Sequence, residues 1–65
     1  MNWLLFLIVI GPQGPLVSNN GLPIARVADR MHCDALGEAL VVLMDVSASR
    51  PGFRFDYACF EDRGV

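Results

Sequence analysis

Trp3-Leu4-Leu5-Phe6-Leu7-Ile8-Val9-Ile10 is eight apolar residues without a break, and it stops at Gly11-Pro12. A helix needs ~20 apolar residues to span a bilayer, so this run is too short to cross as one. A strand buried on both faces has this look, continuous apolar residues bounded by Gly and Pro. The run is therefore read as a central strand over residues 3–10. The competing reading is a targeting or anchoring segment made of the first ~25 residues. Its flanks argue against a secretory signal: the first basic residue is Arg26, and Gly-Pro-Gln-Gly-Pro-Leu-Val-Ser after the run holds no Ala-x-Ala cleavage pattern.

Outward from this strand, Gly11-Pro12-Gln13-Gly14-Pro15 is a turn by composition, and Leu16-Val17-Ser18 can return as a short second strand. Asn19-Asn20-Gly21 suits a type I′ turn. Pro23 is at home in a helix's first turn but not in its interior, and Asp29 offers an N-cap for a late start, so a helix is expected within 25–45. Ala28, Met31, Ala35, Leu36, Ala39, Leu40, Leu43 and Met44 fall on one half of its wheel. Arg30, Asp34, Gly37, Glu38 and Asp45 fall on the other, with Val41 as a misfit. Gly37 costs a helix about 1 kcal/mol relative to Ala, which keeps a strand reading open for residues 38–46. After a loop over 47–52, residues 53–60 alternate: Phe53, Phe55, Tyr57 and Cys59 on one face, Arg54, Asp56 and Ala58 on the other. Residues 61–65 read as a polar tail.

The expected fold is α+β and one domain over 1–65. Its sheet has two to three strands, an N-terminal hairpin plus the C-terminal strand beside the first. One helix packs on one face, with Leu36, Ala39, Leu40 and Leu43 over Phe53, Phe55 and Tyr57.

A 65-residue domain buries only ~60% of its unfolded surface and usually needs a disulfide, a metal or a partner. With 54% hydrophobic and 18% charged residues, this chain is far from the disordered composition. The net charge is −2, and the five basic residues are all Arg, scattered and mostly beside acids. A nucleic-acid binder needs a basic patch, so the sequence argues against nucleic acid.

Chemistry is sparse. If helix and last strand pack face to face, Cys33 and Cys59 can come within bonding reach, which requires Cα atoms within about 7 Å. The alternative is two buried thiols that never oxidise, and the redox compartment decides between them. Two Cys and one His without a C-x-x-C spacing do not make a zinc site, so no metal is expected. His32, on the edge of the apolar arc, reads as a packed or rim histidine rather than a base for Cys33. Ser18, Ser47 and Ser49 lie in turns or loops, and Pro12 and Pro15 stand where a phosphate loop would need amide donors. The chain is expected to be non-enzymatic, with no cofactor and no small-molecule ligand.

The order of features resembles a loose set of very small, uncharacterised bacterial proteins. The residues that carry the likeness are 4–10, Gly11-Pro12-Gln13-Gly14-Pro15, Cys33-Asp34-Ala35-Leu36 with Ala39-Leu40, and Tyr57-Ala58-Cys59. The resemblance implies a sheet-plus-helix fold and a Cys33–Cys59 pairing, and it implies no activity. The expected role is that of a small structural or interaction protein, binding itself as a homodimer or another protein through apolar surface. Trp3, Phe6, Val41 and Phe60 are the candidate interface residues, because a single helix-on-sheet layer gives them no place. The alternative role is an exported or membrane-associated small protein whose N-terminal run is the targeting or anchoring segment.

Overall fold

Strand β1 (Asn2–Gly11) has both backbone edges paired, which is what an apolar run buried in a sheet requires. A computed structural model describes residues 2–48 and 50–63; Ser49 of the expected loop and residues 64–65 of the expected tail lie outside them. After β1 come β2 (Gly14–Val17), a single 3₁₀ turn (Asn19–Gly21), β3 (Ala25–Val27), α1 (Arg30–Ser47) and β4 (Arg54–Asp62).

β4 pairs antiparallel with β1 along its whole length, from Asn2 opposite Asp62 to Ile10 opposite Arg54. It therefore continues two residues into the stretch read as a polar tail. The other edge of β1 takes two strands in tandem: β2, with Ile8 opposite Val17, and β3, with Leu5 opposite Ala25. Between them the Ser18 N–H donates to the Leu7 carbonyl at 2.9 Å and the Ile24 N–H to that of Leu5 at 2.8 Å. Residues 18–24 thus leave the ladder and rejoin it. The sheet has four strands, not two to three. The extra one, β3, lies at the start of the range assigned to the helix; three residues are too few to show a period of two. It forms because β2 stops short of the Trp3–Leu5 backbone, which still needs partners.

In the excursion, Asn19, Asn20 and Gly21 all have positive φ (59°, 58° and 80°). Hydrogen bonds from Gly21 N–H to Ser18 O and from Leu22 N–H to Asn19 O close it. The expected Asn-Gly turn is thus a left-handed one, starting one residue earlier. Asn tolerates this region better than most residues with a Cβ.

Asp29 caps α1, its Oδ1 accepting from the His32 N–H at 2.8 Å. The helix then runs unbroken to Ser47, so the strand reading of 38–46 is overturned. Because β3 and β4 both run antiparallel to β1, they are parallel to each other, and α1 is the crossover between them.

The rotation of α1 differs from expectation. Its buried residues are Cys33 and Gly37, with Leu40, Val41 and Met44 half-buried on the same side of the wheel. Leu36 and Leu43, expected over the sheet, are 44% and 60% exposed, and Ala39 is exposed with them. Two contacts fix this rotation. Cys33 meets Cys59, and the Tyr57 ring lies so close under Gly37 that a Cβ there would be within 2.8 Å of three ring carbons. Phe53 also escapes the helix. It precedes β4 and lies against Gly11, where a Cβ would be 2.8 Å from its ring. The core is correspondingly small: Leu5, Leu7 and Cys33.

Candidate functional site

Side chains alternate along β1, so Trp3, Leu5, Leu7 and Val9 point toward α1 while Leu4, Phe6, Ile8 and Ile10 point away. Residues directly opposite in the ladder share a face. The face turned from α1 therefore also receives Arg54, Asp56, Ala58, Phe60 and Asp62 from β4, Val17 from β2 and Arg26 from β3. No element among the described residues covers it. Phe6 and Phe60 meet edge to face, with ring centroids 5.6 Å apart and planes at 72°. This is the diagonal pairing that the register gives, since Phe60 is opposite Leu4 and Ala58 opposite Phe6. Around them lies a shallow groove of about 320 Å³ lined by Leu4, Phe6, Ile8, Val17, Gly21, Ala58 and Phe60. Charges occupy the ends: Arg26 and Asp62, 3.3 Å apart, at one, and Arg54 with Asp56 toward the other.

Of the four candidate interface residues, the structure brings Phe6 and Phe60 together on this open face. Trp3 faces the helix side, its ring 5.7 Å from the Arg30 guanidinium. Val41 lies half-buried on the sheet-facing side of α1. Leu4, Ile8, Val17 and Ala58 belong to the face and were not singled out from sequence. Strand parity would have found Leu4 and Ile8 once the helix side of β1 was known. A second apolar surface lies on the outer side of α1, where Met31 and Val46 are each 80% exposed and Val42 and Leu43 stand between them.

Cys33 and Cys59 are at disulfide distance, with Cα atoms 6.2 Å apart, and Cys33 is wholly buried. Next to Cys33, His32 is exposed in the first turn of α1. Its Nδ1 is 2.9 Å from the Asp29 carboxylate, so it is a partner of the cap rather than a residue of the apolar arc. The hydrogen bond from the His32 backbone N–H, and then that with its ring, hold the Asp29 carboxyl below the usual carboxylate value. Across the helix–sheet junction the Tyr57 hydroxyl donates to Asp34 Oδ1 at 3.3 Å. Burial, followed by the nearby Asp34 and Glu38 charges, raises the phenol above its ordinary value. Among the described residues no group of three or more His, Cys, Asp or Glu side chains could hold a metal ion. A larger cleft of about 530 Å³, between the β1–β2 turn and Phe53, is lined by Val9, Leu16, Gln13, prolines and glycines, with no titratable group. No described helix is long and apolar enough to cross a membrane. No protein-family model, curated protein or solved structure matches this chain.

Proposed function

We propose that this is a small, non-enzymatic interaction protein that docks the open face of its sheet onto a protein surface. The observation that carries the reading is Phe60. It is an aromatic ring 59% exposed on a folded face, set edge to face against Phe6 and surrounded by aliphatic side chains. Leaving the exposed part of such a ring in water forgoes roughly 1–2 kcal/mol of burial. Contiguous apolar patches rimmed by polar groups mark interaction sites. Aromatic residues at the centre of such a patch, with charges at its ends, match the anatomy of protein interfaces. Two Arg and two Asp balance across the face, which favours a protein surface over a polyanion.

The test is site-specific photo-crosslinking in the native cells. A photoreactive phenylalanine analogue replaces Phe60, with the same analogue at exposed Arg50 as control. A discrete protein adduct from position 60 and none from position 50 is expected. Lipid adducts alone at position 60, or no adduct there, would overturn the reading.

A further inference from the structure

We infer that the outer side of α1 is a second docking surface, and that its occupant is a helix of another protein carrying an apolar seam with lysines or arginines along one border. This surface lies on the opposite side of the molecule from the open face of the sheet and does not depend on that face being occupied.

The first observation is what α1 turns to water. A helix lying on a sheet ordinarily presents charged and polar residues there. In α1 the outward arc runs from Met31 through Val42, Val46 and Leu43 to Leu36, and these five large apolar side chains are all exposed. The arc holds no Asp, Glu, Lys or Arg. Along its middle, Ala35, Ala39, Val42 and Val46 follow the alternating four- and three-residue steps of side chains that meet in a helix–helix seam. The two alanines let a second backbone approach closely, since interaxial distance depends on the side chains at the contact.

The second observation is that the two borders of this seam differ. Reading every seventh residue, one border is Met31, Glu38 and Asp45, and the other is Leu36 and Leu43. Glu38 and Asp45 are exposed, and neither has an ion-pair partner among the described residues. Asp34, the next acid on that side, is already engaged by the Tyr57 hydroxyl and by Arg30, 3.7 Å away. The helix holds no Lys or Arg after Arg30. The negative border therefore lacks a countercharge of its own, and a partner helix that covers the seam supplies one with Lys or Arg.

The same asymmetry disfavours the other occupants. Two copies pairing through α1 in antiparallel fashion would set Glu38 and Asp45 against the same acids, and in parallel fashion against Leu36 and Leu43. Neither arrangement matches the charge. Helices that lie on anionic lipid carry Lys and Arg on their polar border, where this one carries acids.

Two synthetic helical peptides of about 21 residues, each with a leucine seam, serve as probes. One carries Lys along a single border, and the other carries Glu at the same places. Fluorescence anisotropy with the full chain at low salt should show the Lys peptide binding about tenfold more tightly than the Glu peptide. The double variant Glu38→Lys, Asp45→Lys should reverse that preference. Val42→Ser, with an unchanged circular dichroism spectrum, should abolish binding of the Lys peptide without altering any charge, while Phe60→Ser on the open face should leave it intact. The inference is overturned by equal binding of the two peptides or by no binding of either. It is also overturned if the double variant keeps the wild-type preference, if binding survives Val42→Ser, or if Phe60→Ser removes it. Co-sedimentation of the wild type with phosphatidylglycerol vesicles, lost in Val42→Ser, would overturn it in favour of a bilayer. A doubling of the 7.1 kDa mass in sedimentation equilibrium, lost in the same variant, would overturn it in favour of a second copy.

Discussion

The two faces of the sheet are drawn from one strand with nearly one composition, and they end in different states. On the helix side, Leu5 has no exposed surface and Leu7 almost none, with the Cys33–Cys59 junction alongside them. On the other side, Leu4, Phe6 and Ile8 alternate with them residue for residue, yet the neighbouring Val17 and Phe60 remain in water. Hydrophobicity therefore specifies that β1 wants cover on both faces, and topology decides which face receives it. A chain with one helix can satisfy only one.

The contrast breaks most sharply at matched truncations. Leu5→Ala should cost about 2–5 kcal/mol, since it opens a cavity between sheet and helix. Phe60→Ala, measured by urea unfolding at concentrations too low for association, should cost about 1 kcal/mol or less, the loss of one edge-to-face aromatic contact. Equal costs would mean that the two faces are equivalently packed. The cysteine pair comes next. With the sulfurs joined, replacing both Cys33 and Cys59 with Ser removes a closure over a sequence separation of 26, worth roughly 3 kcal/mol on the chain-entropy account. The melting temperature should fall by on the order of 15 °C. Unchanged melting of non-reduced protein would show that the sulfurs were never joined.

Gly37→Ala is smaller and has the opposite sign to its helix propensity. An added methyl group favours the helix by about 1 kcal/mol in isolation. Here it meets the Tyr57 ring, so a net loss of about 1–2 kcal/mol is expected by thermal melting. A gain in stability would mean that the helix stands further from the sheet. The smallest effect belongs to Asp29, exposed at the start of α1. Its carboxyl is held below the ordinary value in the folded state, so its contribution is complete above about pH 4 and is lost as the pH falls through the folded value. Asp29→Ala should lower the melting temperature slightly at pH 7, and the difference from wild type should shrink as the pH falls below about 4. A difference that does not shrink with falling pH would mean that the cap does not depend on charge.

These contrasts also locate what the chain discloses before folding. The central position of β1 was legible because an unbroken apolar run must be covered twice. The face of β4 was legible because its residues alternate, and Asp29 announced the start of α1. The rotation of α1 was not legible. Gly37 has no side chain to weigh, so it fell on the polar side of the wheel, and Val41 fell there with it. Only the Tyr57 ring and the Cys33–Cys59 contact, both long-range, turn that side inward. The same rotation sends Leu36 and Leu43 outward. At the candidate site, Phe6 and Phe60 stood out as surplus aromatics. Trp3 did too, but its place beneath Arg30 depends on strand parity and on where the crossover lands.

The register of β1 with β4 also sets an order of events during synthesis. Asn2 finds its partner in Asp62, sixty residues downstream, and Ile10 in Arg54. The apolar strand β1 therefore leaves the ribosome before its β4 partner and must wait for that strand before its long edge is paired. Until then β2 and β3 can shield only the opposite edge. Such distant pairings are slow to form, and an unpaired apolar strand edge is a template for neighbouring chains. A nascent-chain holdase, or a lower concentration of unfinished chains, should raise the yield of this protein by keeping that edge from meeting another.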